Sequence, residues 1–226
     1  MSPDPTAALG PAARQALGKV LELLASERAS VSSVVDERAW RVHVADSLTG
    51  LEVEGLRSAG RIADVGAGAG FPGLALAVAL PDARVDLIES VGRKCEFMQR
   101  AIDAASIANA TVLNTRSEDL AKADGREAYD AVTARAVGRL STLAELASPL
   151  LKPNGVLVAW KGKRDEEEES QLERASDALA MIPEQILDVG NRAGSQHRHL
   201  HVIRKSGRTP ADLPRRPGIA KKRPKG

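Results

Sequence analysis

Apolar positions recur at two spacings along this 226-residue chain. Over residues 11–27, Ala12, Ala16, Leu17, Val20, Leu21, Leu23 and Leu24 form a helical stripe. A second helical segment is predicted over 34–50, around Trp40, Val44 and Leu48. From residue 61 onward, short apolar runs alternate with helical patterns. Residues 62–65, 84–89, 111–113, 129–134 and 156–160 read as strands. Helices are predicted at 73–80, stopped by Pro81, and at 92–107, with Cys95, Met98, Ala101, Ile102 and Ala105 on one face. Two more are predicted over 140–151 and 165–181, the first closed by the turn signal Lys152-Pro153-Asn154-Gly155. The run 156–160 is apolar throughout, so that strand should be buried on both faces. Two last strands, about 185–189 and 199–204, are close enough for an antiparallel hairpin. This order predicts an α/β fold: a mostly parallel, doubly wound sheet of seven strands, helices on both faces and a terminal hairpin. Three regions are expected: a helical cap at 1–55, a body at 56–205 and a basic, proline-rich tail at 206–226.

The stretch 61–73, RIADVGAGAGFPG, carries the chemistry. A strand runs into glycines at 66, 68 and 70, and a helix follows. Strand, glycine turn and helix start make a nucleotide-binding turn. Glycine allows positive φ and lets a ligand approach the main chain. Pro72 suits the first helical position, and the helix start should offer free N–H groups to an anion. Glu89 ends the next strand about twenty residues on, where a carboxylate can bond ribose hydroxyls; the competing reading is a strand-end acid exposed by chance. No GxxxxGK[ST] occurs, which removes a triphosphate P-loop. Gly68, Gly70 and Gly73 do spell GxGxxG, so a dinucleotide site stays open. Asp64, two residues before the first glycine, favours instead the S-adenosylmethionine (SAM) signature of Rossmann-like methyltransferases. The terminal hairpin agrees, and no residues remain for a dehydrogenase's catalytic domain.

Charge and composition narrow the partners. Net charge is only +2, yet residues 204–226 hold nine Lys or Arg against one acid, Asp212. Four prolines there argue for an extended basic arm with no packing of its own. The five aromatic residues are too few for a stacking platform that binds single strands. Cys95 stands alone and reads as a small buried hydrophobe in a reducing cytosol. No signal peptide or membrane span is read. Nothing demands a dimer, so a cytoplasmic monomer is expected. The acidic run 165–169 suits a helix N-terminus. His197, His199 and His201 alternate along one strand face. No metal site is expected from either group.

With these pieces in order, the chain resembles the RsmG (GidB) family, bacterial guanine-N7 methyltransferases of small-subunit ribosomal RNA. The matching motifs are HVADS at 43–47, DVGAGAGFPG at 64–73, SEDL at 117–120, TARAVGRL at 133–140 and WKG at 160–162. RHLHVIRK at 198–205 and LPRRPGIAKKRP at 213–224 complete the set. The likeness runs from about residue 36 to the end. It implies SAM as cofactor, bound by Gly66 and Phe71 of the turn, with Ser117 and Glu118 on the adenosine and Arg135 beside it. The turn residues Ala67, Gly68 and Gly70 and the ribose candidate Glu89 complete the expected cofactor set. Arg135 also admits a structural ion pair.

The resemblance implies a guanine in the 530 loop of 16S RNA, position 527, as the target. Spacing alone makes His43 and Asp46 a surface pair or a cap; the resemblance raises them to candidates for contact with the RNA. Arg139, Lys161 and Lys163 are candidates for phosphate contacts, together with the tail. Guanine N7 carries a free in-plane lone pair, so no general base is expected and catalysis reduces to positioning. No NPPY-like element follows 129–134, and Cys95 is misplaced for attack on a pyrimidine ring. Because N7 is hidden in a stacked A-form helix, the target should be an unstacked or flipped base. The other readings are a small-molecule methyltransferase and a SAM-binding regulator that docks on RNA. Deleting 207–226 is expected to flatten the salt dependence of RNA binding and to leave SAM binding intact.

Overall fold

The computed structural model describes residues 4–27, 32, 34, 38–190 and 197–226. Helix α1 (Pro11–Ser26) opens the cap and buries Leu17, Val20 and Leu24. A π-helical stretch (Trp40–Ala45) then runs into α2 (Asp46–Leu48), a 3-10 turn (Thr49–Glu52) and α3 (Glu54–Arg57). The body follows as β1 (Arg61–Val65), α4 (Gly73–Ala79), β2 (Arg84–Glu89), α5 (Gly92–Ala105), β3 (Ala110–Asn114), α6 (Ser117–Leu120) and β4 (Tyr129–Arg135). It continues with α7 (Leu140–Ala147), β5 (Leu151–Lys161), α8 (Glu166–Leu179), β6 (Met181–Asp188), β7 (His199–Lys205) and a last short helix, α9 (Ile219–Lys222).

The seven strands form one sheet in the order β3-β2-β1-β4-β5-β7-β6. The first five pair in parallel, while β7 is antiparallel to both β5 and β6. The strand order reverses between β1 and β4, and open α/β sheets bind ligands beyond the carboxyl ends at such a point.

Alternation along the strands sorts side chains between two cores. On β5, Val156, Val158 and Trp160 join the core shared with α1, α4 and α5, while Leu157 and Ala159 join the core shared with α7 and α8. All five are at most 1% exposed, as the apolar run requires.

Local corrections have local causes. The Lys152-Pro153-Asn154-Gly155 turn lies inside β5 as an irregularity. The pairing of β4 with β5 shifts register between Tyr129 and Ala131, and Asn154 takes φ 68°. Strand β6 starts at Met181, earlier than the hydrophobic pattern indicates, because α8 ends on Ala180 in the left-handed region. Pro72 is the residue before α4 rather than its first residue.

The tail departs furthest from expectation. Leu213 and Ala220 are buried, Arg215 makes a two-pronged ion pair with Glu145 of α7, and Thr142 Oγ1 donates to Ala220 O at 3.2 Å. An earlier anchor precedes them: Lys205 is fully buried and its Nζ donates to Ser148 O and Thr209 Oγ1. Composition argued for a free arm, but specific partners on α7 supply the packing that the segment lacks alone.

Candidate active site

The site starts where β1 stops. Gly66 and Ala67 both donate their N–H to Ile88 O, at 2.9 and 3.1 Å, which folds the turn back against β2. Gly66 sits at φ 69°, and a Cβ there would lie 2.7 Å from Val137 Cγ2. The glycine turn and the loop after β4 therefore meet without a side chain between them. Gly73 answers a second constraint: its Cβ would lie 2.1 Å from Leu87 Cδ2 and 2.8 Å from Asp64 Oδ2, so only glycine lets α4 start this close to the sheet.

Asp64 fastens that start. Its Oδ2 accepts the Gly73 N–H at 2.9 Å and its Oδ1 accepts the Thr133 hydroxyl at 3.0 Å, which ties β1, α4 and β4 together. Burial pushes this carboxyl up to about 6, and the two donors hold it down only in part. The anion site expected at the start of α4 is thereby revised. The Gly73 N–H goes to Asp64 and the Leu74 N–H to Gly70 O. Among the described residues, the turn amides left without a protein acceptor are those of Ala69 and Phe71.

Glu89 closes the β2 side. Its Oε2 accepts the Gly68 N–H at 3.2 Å, and its Oε1 accepts the N–H groups of Ser90 and Val91 at 2.8 and 2.9 Å. At 8% exposure it is no acid left at the surface by chance. After β3, Ser117 and Glu118 occupy the first turn of α6, where Ser117 Oγ donates to Glu118 Oε2 at 3.2 Å. These groups border a cleft of about 230 Å³ lined by Gly66, Glu89, Ser117, Glu118, Val137 and Gly218, among others. Of the other predicted cofactor residues, Ala67, Gly68, Gly70, Phe71 and Arg135 are not on its lining; the turn is tied together by the Gly70 N–H donating to Ala67 O at 2.8 Å.

A second cluster forms around Arg135. Arg135, at the end of β4, donates through Nη1 to Val42 O at 3.0 Å and to Asp46 Oδ2 at 2.8 Å. Arg198 Nε approaches the other oxygen, Asp46 Oδ1, at 2.7 Å, an ion contact off the angle of a hydrogen bond. His43 stacks on Phe71 with centroids 5.0 Å apart. Its Nε2 donates to Val34 O at 2.9 Å, which leaves Nδ1 to face Arg135 Nη2 at 3.4 Å as an acceptor. Burial first, then the Arg135 charge, lower the His43 pKa despite the opposing Val34 bond and Asp46, so the neutral ring is the species present. Trp160 Nε1 donates to Asp46 O at 2.8 Å and fixes this segment on β5.

The structure thus brings His43, Asp46, Phe71 and Arg135 together. His43 and Asp46 are 6% and 1% exposed, which overturns the surface-pair reading of their spacing. Arg139 stands exposed at the N-cap of α7. Lys161 is turned inward, donating to Gly138 O at 3.0 Å and to Glu168 Oε1 at 2.7 Å. The acidic run is consumed locally: Asp165 caps α8 and Glu169 pairs with Arg164. His199 bonds Gly162 O, whereas His201 is buried. The sequence reading missed Asp64 as a clamp, Arg198 as a partner of Asp46, and the tail residues Gly218, Ala220 and Lys221 on the cleft. Asp64 and Arg198 do lie inside quoted motifs, but only geometry gives them these roles.

Solved structures agree on the fold. A fibrillarin pre-rRNA processing protein of Methanococcus jannaschii superposes with TM-score 0.59 at 16% identity, over 75% of this chain and 77% of that one. A SAM-dependent methyltransferase of Aquifex aeolicus gives 0.54 at 18% identity, over 75% and 94%. Among sequences, the ribosomal RNA small subunit methyltransferase G of Rubrobacter xylanophilus is 42% identical over 80% of this chain and 71% of that protein. Its counterparts in Pelotomaculum thermopropionicum and Bacillus subtilis are 40% and 35% identical, over 86% and 88% of this chain and 82% and 84% of theirs. The family model described as rRNA small subunit methyltransferase G matches residues 17–200, so the chain belongs to that family.

Proposed function

We propose that this protein transfers a methyl group from SAM to N7 of a guanine in the 530 loop of small-subunit 16S RNA. The observation that carries the reading is the junction at Val137. There a cleft lined by Glu89 of β2 and Glu118 of α6 is bordered by the loop that follows Arg135 at the end of β4, in a chain of this family.

The residues fit the cofactor. Gly66 bares its main chain on the cleft lining, and the amides of Ala69 and Phe71, without an acceptor among the described residues, suit the cofactor's carboxylate. Glu89 and the Ser117–Glu118 pair suit the ribose and adenine. SAM, when bound, supplies an electrophilic methyl. The chain's own part is to hold the acceptor in line and keep water out. Arg135, fixed by Val42 O and Asp46, is the side chain this reading assigns to orienting base or cofactor. On this reading His43 is not a base, because Nε2 is bonded to Val34 O, Nδ1 faces Arg135 Nη2, and burial lowers its proton affinity. On this reading Arg139, exposed and without an acid partner among the described residues, offers a cation to phosphate, while His43, Asp46 and Lys161, each bonded within the protein, support the RNA side rather than contact it.

The test is to incubate the purified protein with tritiated SAM and small subunits from a strain lacking the gene. Label in 16S RNA supports the proposal. Label only in small molecules, or none, would turn the reading to a small-molecule enzyme or to a regulator.

A further inference from the structure

The tail shares an edge with the cleft. Gly218, Ala220 and Lys221 line it together with Gly66, Glu89, Ser117 and Glu118. The contact is specific: the Gly218 N–H donates to Glu118 Oε1 at 2.8 Å, while Ser117 takes the other oxygen. Glu118 is thus held in one orientation from both sides. The segment is latched away from the cleft as well. Arg215 pairs with Glu145 of α7 and donates to Arg223 O, and Arg126 Nη1 donates to Leu213 O at 3.0 Å. Its other face is different. Arg216, Lys221, Lys222 and Arg223 are exposed, and among the described residues none has an acid partner.

We propose that residues 215–223 are the outer wall of the cofactor cleft, with Glu118 as the hinge between cofactor and wall, and that the outward cations of the same segment receive RNA phosphates. This rests on the methyltransferase reading above. RNA docked on the outer face holds the wall in place, and a cofactor bound beneath it orders the same residues. Each ligand then tightens the other by the same factor, as linkage demands.

Two variants test it: deletion of 215–226, which keeps the buried Leu213, and Arg215→Ala, which opens the latch without touching the cleft. S-adenosylhomocysteine affinity is read by calorimetry, melting temperature alongside it, and 16S RNA affinity with and without S-adenosylhomocysteine. Both variants are expected to bind S-adenosylhomocysteine about tenfold more weakly, at a temperature where melting shows Arg215→Ala to be still fully folded. The parent should bind RNA several-fold tighter when S-adenosylhomocysteine is present, and Arg215→Ala should lose that gain. A triple Arg216→Ala, Lys222→Ala, Arg223→Ala variant should bind S-adenosylhomocysteine as the parent does but lower the salt slope of RNA binding by about 3. If the deletion does not fold, Arg215→Ala decides alone. Parental S-adenosylhomocysteine affinity in Arg215→Ala would overturn the wall. A parent protein that binds no S-adenosylhomocysteine would strike the proposed function instead.

Discussion

Asp64 shows how one side chain serves both fold and site. Its raised pKa means that the native state holds a proton more tightly than the unfolded chain, whose Asp titrates near 3.8. The stability this proton brings is complete below that value and is lost as pH rises through about 6. A shift of roughly two units is worth about 3 kcal/mol. Asp64→Asn keeps both bonds available, since an amide oxygen can accept from Gly73 and its NH₂ can donate to the Thr133 hydroxyl. Urea unfolding of parent and Asp64→Asn at pH 4 and pH 7 should show the variant gaining about 2 kcal/mol on the parent across that interval. An equal pH response in both would contradict it. His201 works with the opposite sign. Burial lowers it to about 4, so its contribution is present above 6.5 and is lost as pH falls toward 4. His201→Gln should flatten that acid limb in the same melts. Asp46 faces two arginines, and Asp46→Asn would leave both partly buried without a counter-ion; a loss of about 3 kcal/mol in unfolding free energy is expected.

At the level of elements, the segment Trp40–Leu48 is pinned by Trp160. A Cβ on Gly50 would lie 2.5 Å from the Trp160 ring, and the indole N–H reaches Asp46 O. Trp160→Phe removes that donor and should cost about 1–2 kcal/mol, with methyl transfer falling more than stability because Arg135 loses its footing. Chemical denaturation beside a rate assay separates the two effects. The strands were legible because burial on two faces writes itself as unbroken apolar runs, as in 156–160. The glycine turn was legible because its backbone demands glycine at Gly66 and Gly73. The π-helical stretch was not, since nothing in WRVHVA distinguishes its spacing from an ordinary helix. The revised helix start was hidden for a related reason: the sequence places Asp64 beside the turn but does not say that its carboxylate takes the Gly73 amide.

Across the whole molecule, the least legible feature was the fate of the tail. Its partners lie far along the chain: Glu145 is 70 residues from Arg215, and Glu118 is 100 residues from Gly218. Local composition carries no trace of such pairs, so a segment of proline and cations read as a free arm. Folded back, it places Arg216, Lys221, Lys222 and Arg223, exposed and without an acid partner among the described residues, on one segment beside the cleft. RNA affinity should therefore fall steeply with salt even though net charge is only +2. The central claim is that this cleft aims a methyl at the ring nitrogen of one RNA purine, by position rather than by proton transfer. The measurement that meets it most directly is strand scission at N7-methylguanine, by borohydride and aniline, in 16S RNA from cells with and without the gene. The account predicts a single gene-dependent break at one guanine in the 530 loop, restored by adding the protein and SAM to small subunits from the deleted strain. An identical cleavage pattern in the two strains, or a gene-dependent methyl found on an exocyclic amine or a pyrimidine carbon, would contradict it.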